Sequence, residues 1–179
     1  MFALVGFGWA KPVPVNPYNF RKYRLGTFLT SSAGIIVNYL TCFLFCPILG
    51  LVWVYVLPLV EGTYAYYFFS SFFIYLVVNS LSFCVFNLLP FYPLDGFRMV
   101  DAFMKKRGKF YWFFRRYGYY ILLGLILLHY LSGMVPFLGY IDILGYVLDF
   151  VRLIFSKPIT LFWEWIFGLC KIDLKFDIF

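Results

Sequence analysis

An all-α membrane protein is the fold class this sequence predicts, and three observations predict it. First, 64% of its 179 residues are hydrophobic and 13% are charged, whereas a soluble domain runs at about 45–50% apolar and about 25% charged. Second, uncharged apolar runs recur, each long enough to cross a hydrocarbon core of about 30 Å at about 1.5 Å per helical residue. Third, the cations sit at the edges of those runs. Of 15 Lys and Arg, four are Lys11, Arg21, Lys22 and Arg24, and seven are Arg98, Lys105, Lys106, Arg107, Lys109, Arg115 and Arg116. The expected architecture is about three transmembrane helices, interfacial amphipathic helices and an extended, Pro-rich N-terminal segment. It divides into a membrane domain over 1–140 and an interfacial amphipathic segment over 141–179. Membrane lipids are the expected surroundings. Nucleic acid is excluded as a partner, because the basic residues flank membrane helices and no nucleic-acid motif is present.

In chain order, residues 1–26 hold Pro12, Pro14 and Pro17, which enforce extended or turn geometry. Trp9 and the aromatics from Tyr18 to Phe20 suit a membrane–water interface. Residues 28–56 are the first expected span, uncharged over 33–56, with a small face at Ser31, Ser32 and Gly34 for close packing. Asn38 is the strongly polar residue inside it, and Pro47 predicts a kink. Cys42 and Cys46 share a helix face; with no C-x-x-C in the chain they read as small core residues, as do Cys84 and Cys170. Residues 57–65 form a loop without Lys or Arg, and 66–89 are the second span. The basic stretch 97–116, with Phe110, Tyr111 and Trp112 among its cations, reads as an interfacial helix and turn. Residues 117–138 are the third span, with Gly118, Gly124 and Gly133 as packing points. His129, the single histidine, reads as a packed imidazole, because one His without a neighbouring carboxylate or second His is not a ligand pattern. Residues 141–179 read as two amphipathic helices lying on the membrane and broken at Pro158, with a short strand or frayed tail at the end.

The candidate site is the stretch 87–96, N-L-L-P-F-Y-P-L-D-G, at the end of the second span. Pro90 and Pro93 lack a backbone N–H and stop the helix. Asp95 then places a carboxylate at the membrane boundary, where irregular backbone survives only if protein or a water-filled cavity covers it. The residues alone leave two roles open for Asp95: a site carboxylate, or a cap on a helix beginning near Gly96 or Phe97.

Two motifs carry a resemblance. N-x-x-P-x-x-x-L-D-G over 87–96 is similar to the second signature of the site-2 protease family of intramembrane zinc metalloproteases. G-F-G-W-A-K-P-V-P-V-N-P over 6–17 resembles the segment that follows the first catalytic helix in its bacterial and archaeal members. The resemblance implies that Asp95 is the third ligand of a zinc ion, that Asn38, Asn87, Pro90, Pro93 and Gly96 shape the site, and that Trp9, Lys11, Pro12, Pro14 and Asn16 belong to a substrate-facing segment. It implies a hydrolase that cleaves transmembrane protein substrates, as in regulated intramembrane proteolysis, in a bacterial or archaeal cytoplasmic membrane. Ala33, Gly34 and Asn38 match the family's A-G-P-x-x-N, although Ile35 stands where the family has proline.

The family's H-E-x-x-H, which supplies two ligands and the general base, has no counterpart in these 179 residues. The chain as given is therefore expected to be inactive alone. The first expectation is that Met1 is an internal start and that an upstream segment, or a separate chain, carries H-E-x-x-H. The alternative is a catalytically inactive membrane scaffold on the same fold; an unrelated channel or transporter subunit ranks third. The positive-inside rule places 1–26 and 97–116 in the cytoplasm and 57–65 outside, so both signature segments fall on the cytoplasmic side.

Overall fold

The computed structural model of the chain describes residues 20–104, 107–170 and 172. Every regular element among them is helical: α1 Tyr23–Leu51, α2 Tyr64–Leu88, α3 Asp95–Phe103, α4 Lys109–Ser132 and α5 Ile143–Leu169. The Pro-rich segment before residue 20, with Trp9, Lys11, Pro12, Pro14 and Asn16, and the expected terminal strand lie outside the described residues, apart from Ile172.

Helix α1 begins five residues earlier than expected and passes through a π-helical turn, Val52–Val56, into a 3-10 turn, Leu57–Val60. The connection to α2 is thus shorter than the expected loop. The packing face of α1 is Ser31, Ser32, Ile35, Cys42, Cys46 and Leu49, all buried. Its opposite stripe, Leu29, Ile36, Val37, Leu40 and Leu44, is as apolar and is exposed. A soluble helix turns a polar face outward; a helix apolar on both faces belongs in lipid or in a larger core. Two segments among the described residues, Tyr23–Val60 and Tyr64–Leu88, are long and apolar enough to cross a membrane.

The core joins α1, α2 and α5. Cys42, Cys46 and Leu49 meet Val77, Leu81 and Val85 and close on Ile159 and Phe167. The three core cysteines are free thiols that act as small apolar side chains, as the sequence implied.

Residues 141–179 differ most from expectation. Instead of two surface helices there is one helix, α5, which runs through Pro158 and lies in the core. Its charges Asp149, Arg152, Lys157 and Glu164 made it look amphipathic, yet its Ile159–Phe167 side is apolar enough to pack. A proline inside a helix removes the hydrogen bond to the carbonyl four residues back. At Pro47 that carbonyl is Phe43, and the Trp163 indole N–H of α5 donates to it at 2.9 Å. In the turn disturbed by Pro158, the Tyr39 hydroxyl of α1 donates to the Phe155 carbonyl at 3.3 Å. α5 thus supplies a donor to the carbonyl that Pro47 frees, and α1 donates to a carbonyl next to the one that Pro158 frees, Ile154.

The expected third span, 117–138, is part of a longer helix. α4 starts at Lys109, within the segment read as an interfacial turn, and ends at Ser132. Arg115, Arg116 and five tyrosines keep it below the apolarity of α1 and α2. Of its glycines, Gly118 packs against Tyr92, whereas Gly124 faces open space.

Candidate functional site

The site is built where α2 stops. α2 ends at Leu88, the Tyr92–Pro93 peptide bond is cis, and α3 starts at Asp95. Leu94, not Asp95, is the N-cap, and no side-chain cap hydrogen bond forms. Asp95 is therefore the first residue of α3, and the cap role that its position suggested is not the one it has.

Gly96 fixes the geometry. A Cβ there would overlap the backbone carbonyls of Leu88 and Leu89. Only glycine lets the first turn of α3 press onto the last carbonyls of α2. An aromatic column holds the loop from the other side. Tyr92 meets Phe97 edge-on at 5.8 Å, and Phe97 stacks on Tyr111 of α4 at 5.6 Å. Phe91 packs on Phe114, and Gly118 leaves room for Tyr92. The aromatics among the cations of 107–116 thus have a structural task, and Arg107 and Arg115 lie over the Tyr111 ring.

Among the described residues, the Asp95 carboxylate takes part in no hydrogen bond or ion pair. Burial pushes its pKa up, and the Arg98 guanidinium offsets part of that rise. One carboxylate oxygen lies 3.8 Å from where a Cβ of Gly34 would sit, and Ala33 and Gly34 are exposed. The small residues of α1 therefore leave Asp95 open to approach. Asn38 and Asn87 are half-buried, and Pro90 and Pro93 are exposed on the loop.

Asp101 lies on the same short helix, among the cations of the basic segment. It pairs with Arg107 at 3.2 Å and is mostly buried.

His129 also departs from the sequence reading. Its Nδ1 is 2.7 Å from Asp142 Oδ2, which also accepts from the Ser132 hydroxyl at 2.9 Å. Asp142 is the N-cap of α5 and accepts from the Gly145 N–H through its other oxygen at 2.9 Å. Burial alone would raise the Asp142 pKa, but the Gly145 N–H, His129 and Ser132 together hold it below the usual carboxylate range. The helix-start pattern at Asp142 was the available signal for this junction.

The zinc that the resemblance implies needs three or four converging protein ligands. Among the described residues, no three His, Cys, Asp or Glu side chains come together where they could hold a metal ion. Asp95 is a single ligand, His129 is committed to Asp142, and the core cysteines are enclosed by apolar side chains. These residues do not make a zinc site by themselves. The purified chain in detergent is accordingly expected to hold far less than one zinc per molecule. Stoichiometric zinc by elemental analysis, retained after mild chelation, would contradict this.

Comparison with known proteins gives the same region a family. Residues 50–129, which run from the end of α1 through the Asp95 loop into α4, match the family described as Peptidase family M50. A protein of Bacillus subtilis (strain 168) named "Putative zinc metalloprotease YwhC" is 38% identical over 103 residues, which are 56% of this chain and 45% of that protein. The match thus spans less than half the length of that relative. No solved structure matches the chain. The L-D-G loop lies inside the matched region, so over residues 50–129 this chain is similar to Peptidase family M50.

Proposed function

We propose that this chain forms the Asp95-bearing portion of an intramembrane metalloprotease that cleaves transmembrane segments of other proteins. In this reading Asp95 supplies one zinc ligand, and an H-E-x-x-H helix outside these 179 residues supplies the others and the general base. One observation carries the reading. A partly buried carboxylate, without a partner among the described residues, faces exposed small residues of α1 at the end of an apolar helix. A group held at that cost in solvation is a site candidate on physical grounds. Gly34 and Ala33 give a further helix room to reach it. Zinc would bring Lewis acidity to such a complete site; what this chain contributes is the fixed position of Asp95, set by Gly96 and the Tyr92–Phe97–Tyr111 column. The experiment is reconstitution: restore the H-E-x-x-H helix by extension or co-expression, then measure zinc retention and cleavage of a membrane-spanning substrate. A reconstituted protein that holds zinc no better than the chain alone would overturn the proposal and favour a non-catalytic scaffold.

The cytoplasmic placement of the site is part of the same proposal. Phe28 at the start of α1 and Phe103 at the end of α3 meet at 5.2 Å, which supports placing the cations of 21–24 and 98–116 at one end of the bundle. The turn at Glu61, with no cation nearby in sequence, is at the far end of α1. Reporters fused near Arg21 and Lys109 are expected to read cytoplasmic, and one near Glu61 external. A cytoplasmic signal at Glu61 would refute this topology.

A further inference from the structure

A cavity of about 410 Å³ lies between α2, α4 and α5, away from Asp95. Its walls are mostly apolar, with Phe83, Phe86, Ile126 and Leu148 prominent, and its polar atoms come from Ser82, His129, Asp149 and Arg152. The polar groups are not evenly placed. His129 is half-exposed and Asp149 is exposed, so they mark the mouth. Arg152 is half-buried: its Nε is buried and has no hydrogen-bond partner among the described residues. A buried guanidinium N–H without an acceptor is costly, and such an orphan calls for an anion or water that completes it. The mouth is a built feature, since the His129 ring is held by Asp142, and a Cβ at Gly145 would crowd the Asp142 carboxylate and lie 3.1 Å from the His129 ring nitrogen.

We propose that this cavity binds a single-chain anionic amphiphile, with its acyl chain against Phe83, Phe86, Ile126 and Leu148 and its carboxylate or phosphate on Arg152. The volume is within the range of small-molecule sites, and the pattern of apolar walls with one convergent cation is the usual one for orientation and selectivity. Asp149, three residues before Arg152 on α5, is exposed at the rim and opposes an anion there, whereas the buried Arg152 N–H attracts one. The two sources of such a head group are a free fatty acid and a lysophospholipid.

The test uses the full chain in vesicles of uncharged phosphatidylcholine. A diazirine-bearing palmitate is photoactivated and the labelled peptides are mapped. Labels are expected on 83–86 and 126–129, reduced at least fivefold by excess palmitate or lysophosphatidylglycerol but not by methyl palmitate. Competition by palmitate assigns the free acid and competition by the lysophospholipid assigns the phosphate head; either supports the site. The acid-against-ester comparison needs no variant. Arg152→Gln, checked for unchanged helicity, is expected to lower labelling to a similar extent. Equal competition by the methyl ester, or labelling spread over the lipid-facing stripe of α1 instead of the cavity, would overturn the proposal.

Discussion

Asp95→Asn, in a protein reconstituted with its H-E-x-x-H helix, is expected to abolish both zinc retention and substrate cleavage while leaving the fold at least as stable. Asparagine preserves size and removes charge. A neutral amide is a poor zinc ligand, and the site loses the anion that offsets part of the metal's charge. The stability half follows from the raised pKa of Asp95. A carboxyl group whose folded pKa lies above its unfolded value favours folding most below the unfolded pKa. That contribution is lost as pH rises through the folded value. Ionising Asp95 in the metal-free chain is therefore disfavoured by its surroundings, and Asn removes that cost. The checks are zinc by elemental analysis, cleavage of a membrane-spanning substrate, and thermal unfolding in detergent at pH 7. Glu61→Gln is the control, because Glu61 is exposed in the turn. Retained cleavage in Asp95→Asn would exclude Asp95 as a ligand. A fall in unfolding temperature with cleavage intact would make it a structural residue.

Gly96→Ala is expected to be among the most damaging single substitutions in the chain. The added methyl would overlap two backbone carbonyls at the end of α2, and backbone cannot rotate aside as a flexible side chain can. α3 would have to lift from α2, separating Phe97 from Tyr92 and Tyr111 and moving Asp95 relative to Gly34. A loss of roughly 3 kcal/mol or more is in keeping with severe overpacking. Gly124→Ala is the matched comparison, because that position faces open space in the middle of a helix; there alanine is expected to be neutral or to stabilise by up to about 1 kcal/mol. Thermal unfolding of the two variants in the same detergent measures the contrast. Similar unfolding temperatures would show that α2 and α3 are not pressed together at Gly96.

The two apolar helices and the break between α2 and α3 were legible because hydrophobic length and proline act locally. Pro90, Pro93 and Gly96 state the end of one helix and the start of the next without reference to anything distant. The place of α5 was not legible. Its charges dilute an apolar side that becomes visible only when Ile159 and Phe167 are set against Cys46 and Leu81. The His129–Asp142 contact was hidden for the same reason: its partners are separated by a turn, and sequence spacing gave no sign that the end of α4 meets the start of α5. At the candidate site, the L-D-G motif singled out Asp95 and Gly96. That Gly34 faces the carboxylate, and that Gly96 is required by carbonyls and not by its own torsion angles, could be learned only from packing.

The exchange of donors between α1 and α5 bears on how the molecule comes apart. Where Pro47 leaves the Phe43 carbonyl bare, the substitute donor belongs to Trp163, 120 positions along the chain. An unmatched carbonyl in a hydrocarbon setting costs several kcal/mol, so α1 is a poor helix on its own at that turn until α5 arrives. The Tyr39–Phe155 contact ties the same two helices together a second time. Helices α1 and α5 are therefore expected to open as one cooperative unit, and a chain cut before α5 to lose order in α1 as well.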